Sequence, residues 1–82
     1  MKSILIMDFR VAGDLFYTEA VSHYCIKLGV ESISSFKEID YIENKVLNLM
    51  NTDKECVISS KVDKVDLVSR YFTALRLELR NA

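Results

Sequence analysis

The chain of 82 residues contains no proline and only two glycines, Gly13 and Gly29. Average usage would place roughly four prolines and six glycines in this length. A fold made of many short strands needs glycine for its positive-φ hairpin turns and often places proline in its loops, whereas long helices need neither. The sequence therefore predicts an all-α fold over residues 1–82. We expect a small compact bundle of about four helices in one domain, with a long amphipathic C-terminal helix.

Composition and charge limit the classes of partner. Apolar residues make up 50% of the chain, and the formal net charge is −1. A chain this short builds only a small core, so we expect part of its apolar surface to be covered by a protein partner or a second copy. The charge gives no basic excess of the kind that binds nucleic acid. No apolar run approaches the roughly 20 residues of a membrane span.

No residue pattern points to catalysis or to a cofactor. Cys25 and Cys56 have no ligand partner at zinc-site spacing, and we interpret both as small buried hydrophobic residues of a reduced, cytoplasmic protein. His23 shares a polar helical stripe with Glu19 and Lys27, which is typical of a solvated face. Two isolated glycines cannot form a phosphate-binding loop. We therefore expect no enzyme activity, no catalytic residue, no cofactor and no metal site.

An apolar run near the N-terminus has two interpretations. The apolar positions of residues 2–12 repeat at helical spacing and are Ile4, Met7 and Val11, with Leu5 and Ala12 beside them. This spacing favours a helix. The unbroken run from Ile4 to Met7 is also compatible with a buried strand. We predict a helix because the chain offers no convincing second strand to pair with the run.

The next segment, residues 14–28, has the features of an amphipathic helix. Its apolar stripe consists of Tyr17, Val21, Tyr24 and Leu28, widened by Phe16, Ala20 and Cys25. Asp14 is the expected N-cap, because its carboxylate can accept from the free backbone N–H groups of the first turn. Gly29 is expected at the left-handed position after the helix, with Val30 packing back on the last turn.

The clearest amphipathic helix begins at Ser35. Ser35 and Glu38 match a capping box, with serine at the N-cap and glutamate three residues later. The apolar stripe that follows consists of Phe36, Ile39, Ile42, Val46 and Leu49, with Leu47 and Met50 on its flanks. We predict that this helix ends near Asn51.

The last segment carries a heptad pattern. Apolar residues recur with spacings of three and four, at Val65, Val68, Phe72, Leu75 and Leu79. Both Thr52 and Ser60 open stretches that resemble capping signals, so the start is ambiguous. We place the main helix at residues 60–80.

This helix is apolar around much of its circumference, which predicts an association surface. We expect one stripe to pack on the preceding helices and the neighbouring apolar positions to meet a partner. The predicted partner-binding residues are Leu67, Val68, Tyr71, Phe72, Leu75, Leu77 and Leu79. The same pattern is also typical of the core face of a monomeric bundle.

One alternative is a DNA-binding motif. Residues 24–30 resemble the first helix and turn of a helix-turn-helix, with a small residue four positions before Gly29 and an apolar residue after it. The pattern departs from the motif at Ser35, where a buried apolar residue is usual, and Phe36 comes one position late. The expected recognition helix is also crowded with carboxylates that phosphates repel. They are Glu31, Glu38, Asp40 and Glu43.

The sequence therefore predicts a small intracellular protein-binding regulator, adaptor or inhibitor that acts through helical surfaces and forms a homodimer. The alternative function is a small helix-turn-helix transcriptional regulator. We expect a protein partner or self-association, and neither nucleic acid nor membrane as partner.

Overall fold

The computed structural model describes residues 3–11, 13, 15–56, 58 and 61–81. The elements follow in the order β1 (Ile4–Leu5), α1 (Leu15–Lys27), β2 (Ser32–Ile33), α2 (Phe36–Thr52) and α3 (Lys64–Asn81), with a 3₁₀ turn at Ile6–Asp8 after β1. The prediction of a mostly helical, compact fold is confirmed. The described part of the chain has three helices and a two-stranded sheet, so the predicted number of helices is wrong.

The helix predicted over residues 2–12 is wrong in the described part, and the strand alternative is right for Ile4 and Leu5. β1 pairs antiparallel with β2, with Ile4 opposite Ile33 and Leu5 opposite Ser32. Because side chains alternate along a strand, Ile33 is buried beside the half-buried Ile4 while Leu5 and Ser32 face outward. Burial of these two isoleucines across the sheet favours an extended chain over a local helix. The positions Lys2 and Ala12 lie outside the described residues.

The predicted end of α1 at Gly29 is confirmed. Gly29 has φ +82°, and its N–H donates to the carbonyl of Ile26 while the N–H of Val30 donates to that of Cys25. These two bonds form a Schellman motif, which satisfies the carbonyls of the last turn and reverses the chain. The reversal brings β2 beside β1. The predicted N-cap Asp14 lies outside the described residues.

The predicted start and end of α2 are confirmed. The Ser35 hydroxyl accepts from the backbone N–H of Glu38 at 3.2 Å, as an N-cap should. The helix ends at Thr52, one residue beyond the predicted Asn51. The Glu38 carboxylate reaches back further than in a standard capping box and accepts from the backbone N–H of Ser34 at 3.0 Å.

The predicted start of α3 at residue 60 is wrong, because the cap is Asp63. One carboxylate oxygen of Asp63 accepts from the backbone N–H groups of Val65 and Asp66, at 3.0 and 3.2 Å. An aspartate that satisfies two N–H groups of the first turn fixes the helix start at Lys64. Ser60 lies outside the described residues.

The core lies between the three helices and the sheet, with α2 and α3 in the most extensive contact. Its largest fully buried side chains are Tyr24, Phe72, Ile6, Ile33, Ile39, Met50 and Leu75. The guanidinium of Arg76 on α3 bonds the carboxylates of Asp40, at 2.8 Å, and Glu43, both on α2. Arg76 thus holds α2 and α3 together at their exposed side.

Candidate interaction surface

The residues predicted to bind a partner lie mostly inside the fold. Five of the seven are at most 4% exposed, and they are Leu67, Val68, Tyr71, Phe72 and Leu75. Leu79 is half-buried, and Leu77 is 52% exposed. Partner binding by this set remains a prediction, but in this fold only Leu77 presents a largely exposed side chain.

Leu67 and Tyr71, which the sequence assigned to a partner, are covered by the N-terminal segment and α1. The rings of Phe9 and Tyr71 meet edge to face with centroids 5.2 Å apart. Val11, Tyr17 and Thr18 lie with Leu67 and Tyr71 around one small cavity. The sequence assigned Leu67 and Tyr71 to a partner because it gave no indication that the chain's own N-terminus would lie against them.

A different group of apolar side chains is exposed. Leu5 is 50% exposed, Met7 68% and Ile26 55%. With Ile6 and Glu31 they line a cleft of about 340 Å³. We call Leu5, Met7 and Ile26 the Leu5 surface. It joins the outer face of β1, the 3₁₀ turn and the last turn of α1, which the Gly29 reversal brings together.

Among the residues that the structure describes, none bonds the outer backbone edge of β1 beside this surface. The N–H of Ile6 donates to the carbonyl of Glu31 at 2.9 Å, and the register pairs Ile4 with Ile33. Hydrogen-bonded and non-bonded pairs alternate in an antiparallel ladder, so the intervening pair of Leu5 and Ser32 is non-bonded. The N–H of Leu5 therefore points away from β2, toward the outer edge of the sheet.

The outer edge of β2 is closed at both ends, while the N–H of Ser32 between them points outward. By the same alternation, Val30 and Ser34 also turn their N–H groups away from β1. The N–H of Val30 donates to Cys25, and that of Ser34 donates to the carboxylate of Glu38. The Ser34 hydroxyl donates to the same carboxylate. The backbone and hydroxyl bonds from Ser34 lower the pKa of Glu38, because they stabilise its charged form. The two edges of the sheet therefore differ, because the residues that flank β2 are bonded to α1 and α2.

A groove runs along the open edge. Its volume is about 570 Å³, and its lining residues are Ser3, Ile4, Leu5, Asp8, Phe9, Arg10 and Glu78. Its charged residues are two carboxylates, Asp8 and Glu78, and one guanidinium, Arg10. We call it the β1 groove. An open backbone edge beside an apolar surface and a groove is the arrangement that binds an added strand.

The fold also contains a polar cluster where α1 meets the end of α2. The Tyr24 hydroxyl donates to the Asp53 carboxylate at 2.7 Å, and Lys27 lies 3.8 Å from the same oxygen. Burial, and then hydrogen bonds to Cys56 and Asp53, raise the pKa of Tyr24. The bond from Tyr24 is also the main reason that the pKa of Asp53 is lowered. The cluster consists of a neutral phenol and a charged carboxylate that hold the two helices together.

Cys25 and His23 are where the sequence predicts them, whereas Cys56, which was predicted to be buried, is only half-buried. Cys25 is buried, and burial raises the pKa of its thiol to about 12, so it behaves as a small hydrophobic residue. Cys56 is half-buried, and both are free thiols. His23 is exposed together with Glu19 and Lys27. Among the described residues, no group of three or more His, Cys, Asp or Glu could hold a metal ion.

The connection between α1 and α2 differs from that of a helix-turn-helix. α1 ends at Lys27 and α2 begins at Phe36, so eight residues, including β2, separate them. The motif joins its helices by a turn of roughly three or four residues. α2 would be the recognition helix, and its carboxylates Asp40 and Glu43 are bonded to Arg76 of the same chain. This geometry does not favour the DNA-binding alternative.

Within the described ranges, no helix has the length and apolar character needed to cross a membrane. The chain matches no family model, no curated protein and no solved structure. Its function must therefore be argued from the geometry of its own residues.

Proposed function

We propose that the chain is a small intracellular protein-binding module, a regulator, adaptor or inhibitor, that forms a homodimer through the Leu5 surface. The observation that carries the proposal is the convergence of three large exposed apolar side chains, Leu5, Met7 and Ile26, around one cleft. Scattered apolar residues are normal on a protein surface, but a contiguous group beside a free strand edge is typical of an interaction site.

The proposal keeps the predicted class of function and changes the predicted surface. The sequence placed association on α3, where most of the apolar residues are used by the chain's own core. The Leu5 surface is small, and interfaces of modest size are generally weak or transient. We therefore expect a dissociation constant of roughly tens of micromolar.

Charged substitutions at two helix ends provide a matched test. Ile26 lies in the last turn of α1 and Val65 in the first turn of α3, with exposures of 55% and 57%. Ile26→Lys places a cation at a helix C-terminus and Val65→Glu an anion at a helix N-terminus, so each charge suits its helix dipole. Both variants should fold, which circular dichroism checks.

Sedimentation equilibrium then compares these variants with the wild type and with Leu77→Asp. We expect the wild type and Val65→Glu to dimerise alike, and Ile26→Lys to remain monomeric over the same concentrations. If Leu77→Asp abolishes the dimer while Ile26→Lys does not, α3 is the association surface and the proposal is wrong. A wild type that is monomeric throughout also contradicts the homodimer.

A further inference from the structure

The outer edge of β1 carries no charged side chain, proline or covering element in its described residues, and its only protection is its length of two residues. Natural edge strands are protected by short length, lysine, proline, bulges or a covering element. The outward positions of β1 and the residue before it are Leu5 and Ser3, which are uncharged. The equivalent edge of β2 is closed at Ser34 by the Glu38 carboxylate. On the β2 side only the Ser32 N–H remains outward between two bonded neighbours, so the β1 edge is the more open of the two.

The sheet itself is small enough to benefit from extension. Each strand has two residues, and a two-stranded sheet is marginal on its own. Pairing of β1 with β1 of another copy would give a continuous four-stranded sheet in the order β2–β1–β1–β2. An added strand also needs space beside the edge, which the β1 groove provides.

The charges of the β1 groove favour a second copy as the occupant. Asp8 and Glu78 line the groove together with Arg10, so one surface carries both signs. In a twofold interface the same patch faces itself, so Arg10 of each copy can meet a carboxylate of the other copy. A groove with one sign only would repel a second copy and favour a partner of opposite charge.

We propose that two copies pair antiparallel through β1, with the twofold axis at Ile4. This inference rests on the proposed function, and it names the partner as a second copy and the contact as backbone pairing. In this register Ser3 of one copy lies opposite Leu5 of the other. The N–H of Leu5 donates to the Ser3 carbonyl of the second copy, and the N–H of that Ser3 donates back to the Leu5 carbonyl. The twofold axis repeats both bonds on the other side of Ile4. The Leu5 surfaces of the two copies then adjoin on the outer face of the sheet.

Amide hydrogen exchange tests the pairing on the unmodified protein. The Leu5 N–H faces outward in the monomer and is bonded in the dimer, so its exchange should slow as the concentration rises. For a dissociation constant of about 30 µM, exchange at about 1 mM should be roughly sixfold slower than at about 10 µM. The N–H of Ser32, on the outer edge of β2, is the internal control and should show no such change.

A pair of variants at Leu5 separates the backbone contact from the side-chain contact. Leu5 has φ −75°, which proline adopts, and its N–H takes no part in the β1–β2 ladder. Leu5→Pro therefore removes the outward donor and leaves the sheet intact, while Leu5→Ala removes most of the side chain and keeps the donor. We expect Leu5→Pro to dimerise at least about tenfold more weakly than Leu5→Ala. Circular dichroism verifies that both variants fold.

The outcomes distinguish this inference from the proposed function. Slowed Leu5 exchange with the expected order of variants supports strand pairing. A wild type that dimerises while Leu5 exchange stays independent of concentration overturns strand pairing and leaves the Leu5 surface as the proposed interface. Exchange on the wild type decides the question even if Leu5→Pro does not fold. A wild type that is monomeric at about 1 mM overturns both the pairing and the homodimer.

Discussion

The cost of replacing Gly29 can be calculated from its backbone alone. Gly29 ends α1 with φ +82°, and a Cβ built on it meets no atom within 4 Å apart from its adjacent residues. The penalty of a side chain at this position is therefore conformational and contains no clash with residues elsewhere in the described part of the fold. An L-residue in the left-handed region costs about 1–2 kcal/mol. A chain with alanine in place of glycine loses less entropy on folding, which offsets about 0.4–1 kcal/mol of that penalty.

These terms predict an order of stability for three variants. Gly29→Ala should lose about 1 kcal/mol, Gly29→Asn less because asparagine tolerates the left-handed region, and Gly29→Val more because a β-branched residue does not. Urea unfolding followed by circular dichroism measures the free energies, and 1 kcal/mol corresponds to about 4–8 °C in Tm for a domain of this size. Equal losses for asparagine and valine would refute the reasoning, because the penalty would then come from contacts rather than from φ. An unchanged Gly29→Val would mean that α1 does not end at this glycine.

Three further predictions concern the core, the loss of stability at acid pH and the DNA-binding alternative. Tyr71→Phe should leave the free energy of unfolding unchanged or raise it by up to about 1 kcal/mol, because the buried hydroxyl has no partner among the described residues. A loss of more than about 1 kcal/mol in urea would indicate that the hydroxyl is bonded. Glu38→Gln should be less stable than the wild type above about pH 4.3, the ordinary glutamate value, since a lowered pKa in the folded state stabilises the charged form. That difference in stability should vanish as the pH falls below the pKa of Glu38 in the folded protein. A difference that persists at pH 2 in thermal unfolding would contradict a stabilising role for the charged Glu38 carboxylate. Duplex DNA should not be retarded at physiological salt, given the net charge of −1, whereas sequence-specific retardation at nanomolar concentration would favour the helix-turn-helix function.

The elements that the sequence predicted well are those with local signals. The Ser35 cap, the apolar stripe of α2 and the glycine after α1 each act within a few residues, so their pattern can be interpreted without the rest of the fold. The start of α3 was misplaced because Thr52 and Ser60 both resembled caps, whereas the bonds to the first turn come from a third residue, Asp63.

The elements that the sequence missed depend on contacts between distant parts of the chain. β2 has two residues, and nothing near Ile33 indicates that Ile4 would lie opposite it. The same applies to the association surface. Whether Tyr71 faces a partner or the core depends on the position of Phe9. The helix predicted for residues 2–12 implied a different position for Phe9. The unbroken apolar run from Ile4 to Met7 was the one available signal, and the strand alternative is right for its first two residues, Ile4 and Leu5.

The location of the interaction surface can be measured most directly by NMR on a dilution series. The central claim predicts that the backbone amide shifts that change with concentration belong to the Leu5 surface, at Leu5, Met7 and Ile26. It also predicts that the amides around Val65 and Leu77 on α3 stay unchanged, although both side chains are about half exposed. Changes confined to the residues around Leu77, or spectra that are independent of concentration up to about 1 mM, would contradict the claim.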